Sequence, residues 1–348
     1  MCARPLPRRK RSAGLSALLP FSQCVSQVMC RALAMSGLTV VVLAVSSPAE
    51  ARQVVYESSD GAIMARTDDS PPRRLASGVD PHVSPDGRRV AFVSRGGTQV
   101  RLVPYRGGKQ RVIARGHGVG SDPLFNRTTW SADSRYVATS AVGNQITLYD
   151  TRVRRSSLLR RYRPSSNSIA GIALSPAGTR IAFSTRGIDD SSLHVMDAKP
   201  GAHATVVRRY DGADPVWGHQ AGCLAFTLLV GNRYESFPSR IGFACAGARA
   251  FGDMTGSLRP VRWLSKTRML GAQSSAGLQE RAVRVNTATG QVVAISEPVQ
   301  RIFDFSRDGR TMLARSNDSL TQIALDSPGA IPAEIAPGPV VASWTGSG

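Results

Sequence analysis

Lysine is almost missing from this chain. Of its 44 basic residues four are Lys and the other forty are Arg. A skew of this kind follows the codon usage of a GC-rich genome. The competing reading is selection for polyanion binding, because guanidinium forks suit phosphate and carboxylate. The basic residues are spread along the whole sequence and not gathered in one stripe, which favours the compositional explanation. Aromatic residues are also few, at 6%.

The signatures of catalysis are absent as well. A serine hydrolase needs a nucleophile held against a His and an acid, and no G-x-S-x-G elbow occurs. Once the repeats described below are assigned, no stretch remains to build an α/β-hydrolase domain, so a peptidase of the prolyl-oligopeptidase type is excluded. The five histidines, His82, His117, His194, His203 and His219, show neither H-x-H nor H-E-x-x-H spacing, and there is no C-x-x-C. The sequence therefore calls for no metal and no cofactor, and a non-catalytic role is expected.

Long apolar runs are lacking too. The longest, Leu38 to Val45, is too short to span a bilayer. It follows Arg31 and precedes Ala49-Glu50-Ala51, the pattern of a secretory signal with an A-x-A cleavage site. Residues 1–51 are therefore expected to be a signal peptide, with Met29 as an alternative start, and residues 52–348 an exported domain. No transmembrane span is expected after cleavage. The leader carries six basic residues and one acid, so the mature region keeps 38 basic and 23 acidic groups, a net charge of +15.

What is present is a repeat. Val83-Ser84-Pro85-Asp86-Gly87-Arg88-Arg89-Val90-Ala91-Phe92 reads as a strand, a tight turn and a second strand. It returns as Trp130-Ser131-Ala132-Asp133 before Val137, as Leu174-Ser175-Pro176-Ala177-Gly178 before Ile181, and as Phe305-Ser306-Arg307-Asp308-Gly309 before Met312. Weaker copies stand at Trp217-Gly218 and Trp263-Leu264, and the stretch ending at Trp344 supplies a last first-strand. The first strands end at intervals of 47, 44, 43, 46, 42 and 39 residues. Four strands per unit at this period mark an all-β β-propeller. Seven blades are expected, with six as the alternative. The segment from Val54 to Ser77 has the second, third and fourth strands of a blade but not the first. Pro339 to Trp344 supplies that strand, so the C-terminus completes the first blade and leaves no open edge.

The phrases Asp80-Pro81-His82-Val83-Ser84-Pro85-Asp86-Gly87 and Ile181-Ala182-Phe183-Ser184, followed by Leu193-His194-Val195-Met196-Asp197, resemble the TolB-like propeller repeat. In that family the phrase runs roughly D-P-x-W-S-P-D-G-x-x-I-A-F and then I-Y-x-x-D. The resemblance covers nearly all of residues 54–344 and implies the fold, but not a function, since this repeat occurs in many unrelated proteins. The chain departs from TolB in placing its propeller almost at the cleavage site, without a preceding α/β domain. The envelope partner of TolB is therefore not carried over. No Gly-His…Trp-Asp pattern of the WD class is present. The Ser-x-Asp-Gly turns are superficially like sialidase Asp boxes but lack their aromatic residue; Asp86 and Asp308 are expected to hold their own turns.

Two features locate candidate sites. The longer loops join second to third strands or one blade to the next, and in an up-and-down blade these emerge on one face. They carry His117, Asp122, Asp189, Asp190, Arg233, Tyr234, Glu235, Asp253 and Glu280 as candidate binding residues. The first strands line the channel and place His82, Arg262 and Asp304 there. Cys223 and Cys245 flank a hairpin centred on Tyr234, and symmetric pairing would set them opposite each other in a disulfide suited to an exported protein. The expected function is that of a secreted or envelope-associated, monomeric binding module for a protein or an anionic cell-envelope polymer, not nucleic acid. The alternative is a hydrolase or lyase at the propeller mouth, of lactonase-like or glycan-cleaving type.

Overall fold

The tight turn of the repeat is held by its own Ser and Asp. The Ser84 hydroxyl donates to Asp86 Oδ1 at 2.5 Å, and the same oxygen accepts the Arg88 amide at 3.1 Å. Ser131 and Ser306 repeat the bond to Asp133 and Asp308, whose carboxylates accept the amides of Arg135 and Arg310. Asp86 and Asp308 thus act within their turns, as the sequence leads one to expect. Gly87 and Gly309 take the left-handed conformation that closes the turn (φ 68° and 70°), and Ser134 takes it in the turn of Ser131 and Asp133 (φ 60°).

The computed structural model describes residues 53–345 apart from 69, 117–126, 143, 163–167, 187–190, 210–211, 219–221, 230–238, 245–256, 275–278, 328–330 and 338–341. Among the described residues there is no helix. The chain forms antiparallel meanders in succession. The first comprises β1 (Gln53–Glu57), β2 (Ala62–Thr67) and the opening half of β3 (Arg73–Val83). The closing half of β3 begins the second, with β4 (Arg89–Ser94), β5 (Gln99–Pro104) and β6 (Arg111–Arg115). The third holds β7 (Thr128–Trp130), β8 (Tyr136–Thr139), β9 (Gln145–Asp150) and β10 (Arg155–Arg161). Next come β11 (Ser168–Leu174), β12 (Arg180–Arg186), β13 (Ser191–Asp197) and β14 (Thr205–Arg208). They are followed by β15 (Gly212–Trp217), β16 (Leu224–Leu229) and β17 (Ser239–Ala244). Then stand β18 (Ser257–Trp263), β19 (Arg268–Ser274), β20 (Glu280–Asn286) and β21 (Val292–Ala294). The last meander is β22 (Arg301–Phe305), β23 (Thr311–Ser316), β24 (Ser319–Ala324) and β25 (Ala333–Pro337), and β26 (Ala342–Thr345) ends the chain.

The six complete first strands finish at Val83, Trp130, Leu174, Trp217, Trp263 and Phe305, as the repeat spacing requires. β26 lies antiparallel beside β1, pairing Gln53 with Thr345 and Tyr56 with Ala342. β3 is shared: residues 73–77 pair with β2 and residues 78–83 with β4, which fuses two meanders into one seven-stranded sheet. Gly78 is the pivot of that handover. A methyl group there would lie 2.4 Å from the Val93 carbonyl oxygen and 2.5 Å from a ring carbon of the fully buried Phe92.

Second strands are buried on both faces because a sheet packs against each side of them. Ile181, Ala182, Phe183, Ser184 and Thr185 of β12 are all buried, whereas the fourth strand β14 shows mostly exposed positions. Each apolar cluster joins two consecutive meanders. Ala91, Val93 and Ile113 pack with Val137, Val142 and Tyr149, and Ala173 and Leu193 pack with Trp217 and Phe226. One cluster joins Leu313 and Leu320 of the last meander to Val54 and Tyr56 of the first. Tryptophans at strand ends add a polar link. The indole N–H of Trp130 donates to the His82 carbonyl, that of Trp217 to Ala173 and that of Trp263 to Val216, at 3.1, 3.0 and 3.2 Å. In each case the acceptor is the penultimate residue of the preceding first strand.

Candidate functional site: the channel

Five of the first strands carry a one-residue bulge against their neighbours. The register slips between Val79 and His82, Ile169 and Ile172, Ala213 and Val216, Pro260 and Arg262, and Ile302 and Asp304. A bulge re-aims the side chains around it. Here the bulged segments converge on one cavity of about 280 Å³, lined among others by Asp80, His82, Asp214, Arg262 and Asp304. Two bulges have the sequence Asp-Pro, at Asp80-Pro81 and Asp214-Pro215. In both the Asp adopts a positive φ, 54° and 43°, a conformation Asp tolerates better than most residues.

The structure thus brings the three channel residues expected from sequence, His82, Arg262 and Asp304, into one cavity. Arg262 Nη2 lies 2.9 Å from Asp304 Oδ1, and that oxygen also accepts the Phe305 amide at 2.7 Å. His82 Nε2 is 2.9 Å from Asp80 Oδ1, and the Asp80 amide donates to Glu57 at 3.2 Å. Burial disfavours the His82 imidazolium, but the carboxylates of Asp80 and Asp304 outweigh it and raise the pKa. Burial raises the Glu57 carboxyl as well, and the Asp80 charge adds to that rise against the pull of the Asp80 amide.

Asp214, Arg259 and Arg301 complete the polar lining and were missed as channel residues. The Asp-Pro dipeptide shared by the repeats ending at Val83 and Trp217 was the available signal for Asp214. Burial pushes the Asp214 carboxyl above its usual range; Arg259, the Thr227 hydroxyl, Arg301 and Arg186 pull it back only in part. Arg259 Nη2 bonds both oxygens of Glu280, at 3.2 and 3.0 Å, and the Ile302 carbonyl at 2.9 Å.

Glu280 stands differently from the loop position expected of it. It is the first residue of β20, and its carboxylate faces inward, bonded to Arg259 and to the Ile302 amide at 2.6 Å. It ties the β18–β21 sheet to β22. The other candidate loop residues, His117, Asp122, Asp189, Asp190, Arg233, Tyr234, Glu235 and Asp253, lie outside the described residues, as does Cys245. The β16–β17 hairpin pairs Leu224 with Ala244 and Leu229 with Ser239, so it is symmetric about position 234, as the cysteine spacing predicts.

Chemically, the His82–Asp80 pair is an imidazole held by a carboxylate, half of a base-and-nucleophile arrangement. Ser343 lines the same cavity, but its Oγ accepts the Val83 amide at 3.4 Å and makes no hydrogen bond to His82. Among the described residues no three His, Cys, Asp or Glu side chains converge as a metal site.

In comparisons with known proteins, no family model matches the chain, and no curated protein matches it. Solved structures do. An oligogalacturonate lyase in complex with manganese superposes with a TM-score of 0.58 at 10% identity, over 81% of this chain and 83% of the lyase. The β-propeller domain of Cps50 (Swd1) from Myceliophteria thermophila superposes at 0.53 and 14% identity, over 75% and 87% of the two chains. The chain is a β-propeller. TolB from Acinetobacter baumannii overlaps over 84% of this chain and 66% of its own at 14% identity, with a TM-score of 0.49, too low to argue from. At these identities the propeller's likeness to the other two extends to the fold and no further.

Proposed function

We propose that this propeller is an exported, non-catalytic binding or scaffold module, with a ring of seven blades closed by β26. The pairing of β26 with β1 and the apolar cluster joining the last meander to the first support the ring. The observation that carries the functional reading is the state of the channel. His82 is paired with Asp80 on its own strand, Arg262 with Asp304 on the next first strand, and Arg259 with Glu280 of β20, so its charged groups are largely engaged with one another. A catalytic site would keep such groups aimed at a substrate. The long-loop rim is the face assigned to a partner, which the net charge of the mature region steers toward an anionic protein or envelope polymer.

The second reading is a lyase or hydrolase at the channel mouth, favoured by the carboxylate-held imidazole of His82. Turnover assays separate the two. The purified protein is incubated with oligouronides, with and without manganese, and the unsaturated product is followed by ultraviolet absorbance. No product supports the binding reading. Turnover that disappears in His82→Gln replaces it with the enzymatic one.

A further inference from the structure

The arginines are not as dispersed as the linear sequence suggests. On the end of the blades that carries the tight turns, between the second and third meanders, lies a groove of about 810 Å³. It is lined by Arg88 and Arg89 from one turn, Lys109 and Arg111 from a second, and Arg152 and Arg154 from a third. Six cations therefore meet in one groove whose lining contains no carboxylate. Five of the six are exposed, and Arg89 is partly so. None has an ion pair among the described residues.

The acids nearest in sequence are committed elsewhere. Asp86 accepts the Ser84 hydroxyl and the Arg88 amide. Asp150 bonds Arg135 at 2.8 Å and the Arg152 and Val153 amides, and although burial opposes it, these partners hold its carboxyl below the usual range. The groove between the next pair of sheets, on the same end, offers an internal comparison. Its cations Arg135, Arg180 and Lys199 share the lining with Asp133 and Asp197, and Lys199 pairs with Asp197 at 3.2 Å. The charged lining sums to +1 in this groove and to +6 in its neighbour.

Six like charges in one groove repel one another, so an occupant must bring negative charge along an extended path. We infer that this groove binds a segment of a linear acidic polysaccharide. Leu102, Val103 and Tyr149 are buried beneath it, and Pro104 is its one exposed apolar residue. The groove thus offers no exposed aromatic on which nucleic-acid bases would stack. It offers no apolar pocket for the anchor side chains on which protein partners depend. A chain with regularly spaced carboxylates and a hydrophilic backbone needs neither. This site lies on the opposite end of the blades from the long-loop rim and is independent of the partner assigned to that rim.

The test is binding of the full chain to a fluorescent alginate oligomer, read by anisotropy. Polyphosphate, poly-glutamate and a neutral dextran are the competitors. The variant K109E/R111E/R152E reverses three groove charges. The variant R268E/R307E/R310E changes net charge by the same amount at exposed positions elsewhere. Groove reversal should weaken alginate binding on the order of thirtyfold, which corresponds to about 0.7 kcal/mol for each of the three reversed charges. The control variant should change it by less than about threefold. Equal losses in both variants would reduce the effect to net charge and overturn the site. No alginate binding by the unmodified protein would overturn it too. Stronger competition by poly-glutamate or polyphosphate than by unlabelled alginate would overturn the ligand class. Matching melting curves for the two variants guard against a folding defect.

Discussion

The indole nitrogen of Trp217 donates to the carbonyl of Ala173 across the gap between two neighbouring sheets, at 3.0 Å. Trp130 and Trp263 make the same link one residue before the end of the preceding first strand. Replacing the indole removes the donor and opens space in the cluster with Leu224 and Phe226. Trp217→Phe should cost about 2–3 kcal/mol. Urea unfolding checks this, with the midpoint lowered and the slope unchanged.

Gly78 is the position where one strand changes sheets, and the space for a methyl group is already taken by the Val93 carbonyl and the Phe92 ring. Gly78→Ala should destabilise the protein by about 2 kcal/mol or more, because the nearest atoms are backbone and a fully buried ring. Thermal unfolding would register this as a clear drop in melting temperature. An unchanged melting temperature would mean that the handover from β2 to β4 is looser than the packing indicates.

Deleting residues 339–348 removes β26 and leaves β1 with an unpaired edge. We expect a large loss of melting temperature and aggregation, measured by scanning calorimetry and light scattering. A truncated protein that melts like the full chain would refute closure by this strand.

Stability should fall at alkaline pH through His82. The folded protein holds the His82 proton more tightly than the unfolded chain, in which the imidazole titrates near pH 6.5. The stabilisation from the imidazolium is therefore complete below that value and is lost as pH rises through the folded pKa. Melting temperatures at pH 6 and pH 9 should differ in the unmodified protein, and His82→Gln should flatten the difference. Asp214, also raised, contributes in the same direction, its stabilisation beginning to fall as pH rises above 3.8, the ordinary carboxyl value.

The β16–β17 pairing is symmetric about position 234, which is also the midpoint of Cys223 and Cys245 in the sequence. We expect a disulfide between Cys223 and Cys245 in exported protein, contributing roughly 3 kcal/mol for a loop of this size. Thiol titration of the native protein tests it. Two reactive thiols would refute the bridge.

Strand ends were legible because the tight turn writes its own chemistry into the sequence. Ser84 and Asp86 hold a turn by hydrogen bonds between residues two positions apart, and such local bonds recur wherever the phrase does. The position of His82 and Arg262 in the channel followed from the same phase. Glu280 could not be placed so easily, because its partners Arg259 and Ile302 stand 21 and 22 residues away on other strands. The basic groove was invisible for a related reason. Arg88, Lys109 and Arg152 look scattered in one dimension, and only the stacking of successive meanders brings their turns together.

Among the described residues every strand pairing but one joins neighbours in the chain. The exception, Gln53 with Thr345, spans 345 − 53 = 292 residues. A chain emerging from the ribosome N-terminus first can form its hairpins one by one as they appear. β1 gains one partner early, from β2, and then waits for nearly the whole protein to be made. During that interval Val54, Val55 and Tyr56 present an apolar strand with a bare edge, the template on which unfinished chains aggregate. The hazard in the biogenesis of this protein is thus a single strand wide, and it ends when Ala342–Thr345 arrive.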